Sequence, residues 1–246
     1  MDEYTFIGFD CAYRTLGWCI LGYNPRALTE CLTTSPKNAL NLETCARNLF
    51  HLRASGVVDV LGATIEEVDH SMRAVLLAQT LRSIIPADII SRATVVIEKQ
   101  PRKRGHQFAG AHAGSVHDSN QTVEAQLVYH FSVLYPARRV YLVSPSKKNR
   151  LACSLLHEDH VTTYSARKKQ SRRAFMRMAE LFNFDVVASI IGGKHRKKEA
   201  ASVTSLDLHI MPVFDTSPKA IRHIKADQAD ACIQIVAAII LCPEYI

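Results

Sequence analysis

Tyr4-Thr5-Phe6-Ile7-Gly8-Phe9-Asp10 is an aromatic and β-branched run that stops at a carboxylate. It reads as a strand with an acid at its end. Outward from it, residues 11–15 read as a turn and Leu16-Gly17-Trp18-Cys19-Ile20-Leu21-Gly22-Tyr23 as a second strand, and after Asn24-Pro25 residues 27–34 read as a third. Three consecutive strands with short connections imply an antiparallel meander. Apolar residues then recur at helical spacing at Leu42, Cys45, Leu49 and Leu52.

Further on, the chain alternates. A helix is predicted over 65–85, with Ile65, Val68, Met72, Val75, Leu76, Leu81 and Ile84 on one stripe and Pro86 as its stop. Ala93-Thr94-Val95-Val96-Ile97-Glu98 is a short, uninterrupted apolar strand of the kind that lies mid-sheet with both faces covered. Residues 121–135 read as an amphipathic helix ended by Pro136, and 140–143 as another buried strand. A last helix is predicted over 218–241, with Pro218 in its first turn and Pro243 past its end. The expected fold is α/β, one domain over 1–246. Its mixed five-stranded sheet combines a three-strand meander with parallel strands and is flanked by helices. A basic helical insertion at about 147–215 precedes the last helix.

Charge singles out that insertion. The chain of 246 residues carries 30 Lys+Arg against 23 Asp+Glu, a formal +7. Residues 147–198 hold 13 of the cations and only four acids, a net +9, while the remainder carries −2. A cationic patch of this kind suits a polyanion, although a solvated surface reads the same way. Apolar residues at 48% exclude a disordered chain. The seven cysteines are odd in number and lack C-x-x-C spacing, which argues against a disulfide framework or a zinc site. The N-terminus has no signal-peptide pattern, and the longest apolar stretch, 231–242, is too short to span a bilayer. An intracellular, soluble protein is expected.

Three apolar elements deliver acids to costly places. Asp10 ends the first strand and Glu98 the fourth, while Asp227 and Asp230 stand three residues apart near the start of the apolar final helix, and so on one face of it. Clustered carboxylates cannot all stay ionised without cations, and hard oxygen ligands suit Mg²⁺ or Mn²⁺. Two such ions would serve in-line phosphodiester displacement. Singly, Asp10 also reads as a turn cap and Asp227 with Asp230 as a helix N-terminal pair, whereas Glu98 is harder to dismiss because a charge beside a central strand is rarely buried unpaired.

In sequence, Ile7-Gly8-Phe9-Asp10 followed by Thr15-Leu16-Gly17-Trp18, then Val96-Ile97-Glu98-Lys99-Gln100-Pro101, then Lys225-Ala226-Asp227-Gln228-Ala229-Asp230-Ala231 form three ordered motifs. Together they resemble the RuvC-like Holliday junction resolvases of the ribonuclease H-like superfamily, above all the poxviral and fungal mitochondrial branch. The resemblance implies a ribonuclease H-like fold and a homodimeric, metal-dependent endonuclease that resolves four-way DNA junctions by paired symmetric nicks. It puts Asp10, Glu98, Asp227 and Asp230 in the role of catalytic, metal-binding acids, with two Mg²⁺ (or Mn²⁺) per site. The chain departs from many relatives at Cys11-Ala12-Tyr13.

DNA contacts are expected from Arg102, Lys103 and Arg104 beside Glu98. Further contacts are expected from Lys147 and Lys148 in a Ser144-Pro145 turn similar to the family's Ser/Thr-Pro-x-x-Lys. A basic helix over 165–182, capped by Ser165 and apolar at Phe175, Met178, Ala179 and Phe182, would turn Lys168, Lys169, Arg172 and Arg173 to DNA. Lys194, Arg196, Lys197 and Lys198 read as a basic loop. Tyr13 and Phe108 are candidate wedges, His106, His112 and His117 loop residues, Lys225 an electrostatic aid or a surface residue, and Trp18 core. Other readings stay open here. One is a ribonuclease H-like nuclease for RNA–DNA hybrids or for branched or flap DNA; another is a DNA-binding protein without catalysis. Actin-like ATPases are disfavoured, because no glycine-rich phosphate loop is present.

Overall fold

Two apolar faces on one sheet organise the molecule. The computed structural model describes residues 3–12, 14–27, 29, 48–61, 69–100, 116–136, 139–182, 184 and 225–242. Its strands are β1 (Tyr4–Cys11), β2 (Thr15–Tyr23), β3 (Phe50–Asp59), β4 (Thr94–Glu98) and β5 (Val140–Val143), in the order β3-β2-β1-β4-β5. β1 pairs antiparallel with β2 and β2 with β3, whereas β1–β4 and β4–β5 are parallel. This is the mixed meander-plus-parallel sheet that the sequence leads one to expect.

The helices are α1 (His70–Ile84), α2 (Ala87–Ile90), α3 (Val116–Leu134), α4 (Pro145–Leu156), α5 (Tyr164–Phe182) and α6 (Ala226–Leu241). Side chains alternate across β1, so Ile7, Phe9 and Cys11 join one core with Leu77 and Leu81 of α1 and Val123, Leu127 and Phe131 of α3. Phe6 joins the other, with residues of α4, α5 and α6. α6 is apolar nearly all round because it is central to that second layer, buried from Ala226 to Ile239 except at Asp227.

The third strand of the sheet is Phe50–Asp59, whereas the sequence leads one to expect it at 27–34. Of the latter stretch only 27 and 29 are described; likewise 42–47 fall outside the described residues, and 50–52, expected at the end of a helix, are strand. The cause is a bulge. Ile20 pairs with Ala54 and Leu21 with Leu52, leaving Arg53 as an extra residue. Phe50 and Leu52 therefore face one core while Ala54 and Val58 face the other, which destroys the period of two. α5 begins one residue earlier than expected, and its cap is Thr163 instead of Ser165: the Thr163 hydroxyl accepts from the Ala166 N–H at 3.3 Å. Residues 218–224, expected in the last helix, lie outside the described residues. Trp18 is core, 2% exposed. Cys11, Cys19, Cys153, Cys232 and Cys242 are free. No helix among the described residues is long and apolar enough to cross a membrane.

Two glycines seat α6 on the sheet. A Cβ at Gly8 would stand 2.5 Å from the Ala231 carbonyl oxygen and 2.7 Å from Ile235 Cγ1, and one at Gly17 would collide with the Asp227 carbonyl. Both obstacles include helix backbone, which cannot swing aside. Gly8→Ala should therefore destabilise the protein by about 1–3 kcal/mol, the usual cost of overpacking. A denaturant melt checks this, and a change within ~0.5 kcal/mol would show that α6 does not rest on Gly8.

Candidate active site

β1 and β4 are parallel neighbours with Phe9 opposite Ile97, so the next residues, Asp10 and Glu98, emerge side by side at the same end of the sheet. Both share a face with the residues two positions back, Gly8 and Val96, and this is the face that α6 covers. Asp10 also stands opposite Gly17 of β2, the residue on which the α6 N-terminus rests. Asp227 and Asp230, one turn apart in α6, are thereby set against Asp10. Carboxylate oxygens of Asp10, Asp227 and Asp230 lie within 4.8 Å of one another. Glu98 adjoins from the neighbouring strand, close enough for its charge to act on Asp10.

Two ammonium groups hold these acids together. Lys148 Nζ is 3.2 Å from Glu98, 3.4 Å from Asp230 and 3.7 Å from Asp10. Lys168 Nζ is 2.7 Å from Asp230, 2.8 Å from Asp227 and 3.5 Å from Asp10. Burial disfavours either lysine's charge, but the carboxylates outweigh it and raise both above the ordinary lysine range. Asp230 is likewise penalised by burial, yet Lys148 and Lys168 hold it below the usual carboxylate range. Asp10 goes the other way. Burial first, then the Glu98 carboxylate, push it well above its ordinary value, with Lys148 only partly offsetting them.

The surroundings are polar. The acids and lysines line a cavity of about 280 Å³ whose rim includes Tyr164 and Arg167. Thr15 Oγ1 donates to Asp227 at 3.4 Å. Glu124 of α3, buried, accepts from the Gln100 N–H at 2.5 Å and so ties the segment after Glu98 to the helix layer. Asn120, one turn earlier, also lines the cavity.

A divalent cation fits this donor set. The oxygens of Asp10, Asp227 and Asp230 are close enough to share one ion, and buried Asp230 Oδ1 accepts no hydrogen bond, meeting only the Lys148 ammonium at 3.4 Å. Hard, anionic oxygens of this kind match Mg²⁺ or Mn²⁺.

The four expected acids thus come together, but the expected DNA-facing lysines divide. Lys148 and Lys168 turn inward to the acids, while Lys169 and Arg173 are exposed and Arg172 is half-buried. Arg173 pairs with Glu158 at 2.5 Å, and Lys147 donates to Cys242 Sγ at 2.7 Å. The inward turn has a helical reason. Lys168 lies seven residues before Phe175, on the apolar stripe of α5, and Lys148 precedes Leu151, Ala152 and Leu155 on the stripe of α4. That spacing was the available signal. For Glu124 and Thr15 the sequence carries none. Lys225 is exposed at the α6 N-cap. Arg102, Lys103, Arg104, Lys194, Arg196, Lys197 and Lys198 lie outside the described residues, as do Tyr13, Phe108, His106 and His112 and the side chain of His117.

No protein-family model matches the chain, and no curated protein matches it. Solved structures do. Fowlpox virus resolvase with its substrate Holliday junction DNA is 15% identical with a TM-score of 0.39, over 72% of this chain and 77% of that one. Thermus thermophilus RuvC with a Holliday junction substrate is 13% identical with a TM-score of 0.44, over 98% and 96%. The yeast mitochondrial Holliday junction resolvase is 10% identical with a TM-score of 0.45, over 99% and 86%.

The raised Asp10 has a sign that a melt can read. A carboxyl held above its unfolded value favours the fold when protonated and opposes it as pH rises through the folded value. Asp10→Asn should therefore raise the melting temperature of the EDTA-treated protein at pH 7. It should also remove the gain in stability that the wild type shows as pH falls through the raised value of the Asp10 carboxyl. An unchanged or lower melting temperature would mean that Asp10 is not repelled by its neighbours.

Proposed function

We propose that the protein is a metal-dependent, structure-selective DNA endonuclease that resolves four-way junctions. The convergence of Asp10, Glu98, Asp227 and Asp230 at one end of the sheet is the single observation that supports it most. The three sequence motifs that resemble RuvC-like resolvases carry those same residues, which is what favours branched DNA over other phosphodiesters. In this reading residues 1–246 make one nuclease domain, and two protomers act together on strands of like polarity.

Asp10, Asp227 and Asp230, joined by Glu98, would hold two Mg²⁺ or Mn²⁺ ions. Bound there, such ions supply an activated water and stabilise the leaving oxygen of an in-line phosphodiester hydrolysis. The remaining work falls to side chains. Thr15 orients the Asp227 carboxylate, and buried Lys148 lowers the repulsion among Glu98, Asp10 and Asp230. Glu124 fixes the backbone after Glu98 through Gln100. Exposed Lys169 and Arg173 with Arg172, together with Lys147, Arg102, Lys103, Arg104, Lys194, Arg196, Lys197 and Lys198, would contact phosphates and so position the duplex arms without reading sequence.

Purified protein incubated with a synthetic four-way junction, plain duplex or RNA–DNA hybrid, with Mg²⁺ or with EDTA, tests the reading. Paired nicks near the branch point are expected only with metal. Equal cleavage of plain duplex would refute junction selectivity, and preference for the hybrid would move the protein to another nuclease class. Glu98→Gln and Asp227→Asn should keep junction binding in a gel shift while cleavage falls by more than about a hundredfold, since losses around a metal site already reach that. Normal cutting by Asp227→Asn would remove the α6 acids from the site.

A further inference from the structure

Lys168 holds a place that the nuclease reading does not explain. Its Nζ contacts the three carboxylates whose oxygens lie close enough to share one metal ion: Asp230 at 2.7 Å, Asp227 at 2.8 Å and Asp10 at 3.5 Å. An ammonium and a divalent cation cannot both take those oxygens at such distances, because like charges that close repel strongly in a partly buried site.

The two inward lysines are not equivalent. The Lys148 side chain is 8% exposed and enclosed among Glu98, Asp10 and Asp230. The Lys168 side chain is 21% exposed. It lies one turn into α5, beside the ring of exposed Tyr164, whose centroid is 5.7 Å from Nζ. Arg167, its neighbour, also lines the cavity. Lys168 therefore has an open route from the carboxylates toward the rim, and a phosphate arriving there offers it an alternative anion.

We propose that Lys168 is an internal counter-ion that competes with divalent metal for Asp227 and Asp230 and is drawn away by a DNA phosphate. Metal and DNA then each bind more tightly in the other's presence, as linkage requires. The site is poorly loaded without substrate and loads as DNA arrives, which restrains cutting elsewhere. The proposal rests on the nuclease reading, and the experiment separates the two.

Free Mn²⁺ is followed by electron paramagnetic resonance in titrations of the metal-free full-length protein. The titrations are run without DNA, and again with a four-way junction carrying phosphorothioate linkages at its branch point, with a DNA-alone titration subtracted. Without DNA, Lys168→Met should bind Mn²⁺ at least about fivefold more tightly than wild type, the lower end of typical couplings. Arg177→Met removes the same charge from the same helix, where Arg177 pairs with Glu180, and should leave Mn²⁺ affinity as in wild type. The junction should raise wild-type affinity by a similar factor and leave Lys168→Met unchanged. Equal or weaker Mn²⁺ binding by Lys168→Met, or equal tightening by Arg177→Met, overturns the proposal. Tightening by Lys168→Met with no junction effect on wild type leaves the competition standing. It overturns the coupling to DNA, while the substrate reading stands or falls by the cleavage assay alone. Lys168→Gln makes the same test should the methionine variant fail to fold.

Discussion

Four carboxylates cannot share one buried cavity without countercharge, and the arrangement of this protein around Asp10, Glu98, Asp227 and Asp230 follows from that constraint. Two lysines enter from α4 and α5 to meet the acids. With all six groups ionised, two negative charges remain, and the burden falls on Asp10, whose carboxyl is pushed up by burial and by Glu98. A divalent cation would relieve that residue charge directly. The cluster is therefore costly to the metal-free fold, as functional sites commonly are.

The scaffold brings these groups to one end of the central strands. Parallel pairing of β1 with β4 sets Asp10 beside Glu98, and the antiparallel return of β2 places Gly17 opposite Asp10. Absence of a side chain at Gly8 and Gly17 lets α6 lie directly on the sheet, so its first turn delivers Asp227 and Asp230. The apolar length of α6 beyond Asp230 anchors that placement in the core shared with α4 and α5. Sheet, glycines and helix are thus parts of one positioning device.

Much of this is legible in the sequence. Strands β1, β2, β4 and β5 announce themselves as apolar or β-branched runs, and the four acids stand at the ends of apolar elements where solvated charge has no reason to be. β3 was not legible, because the bulge at Arg53 moves its side chains from one core to the other and leaves no single period. The inward turn of Lys148 and Lys168 is hidden for a different reason. A basic helix reads as one cationic face, yet Lys168 and Lys169 are adjacent in sequence and must diverge by roughly a hundred degrees around a helix. Lys168 falls on the stripe of Phe175 and Met178, and so belongs inside. The role of Glu124 depends on a contact between α3 and the segment after β4, which no local pattern encodes.

The most direct test is anomalous diffraction from crystals soaked in saturating Mn²⁺, enough to outcompete Lys168 without DNA. A strong manganese peak is expected between Asp10, Asp227 and Asp230, with Lys168 Nζ displaced from Asp227 and Asp230. Saturating Mn²⁺ with no peak among the four acids, and with Lys148 and Lys168 still seated on them, would contradict it.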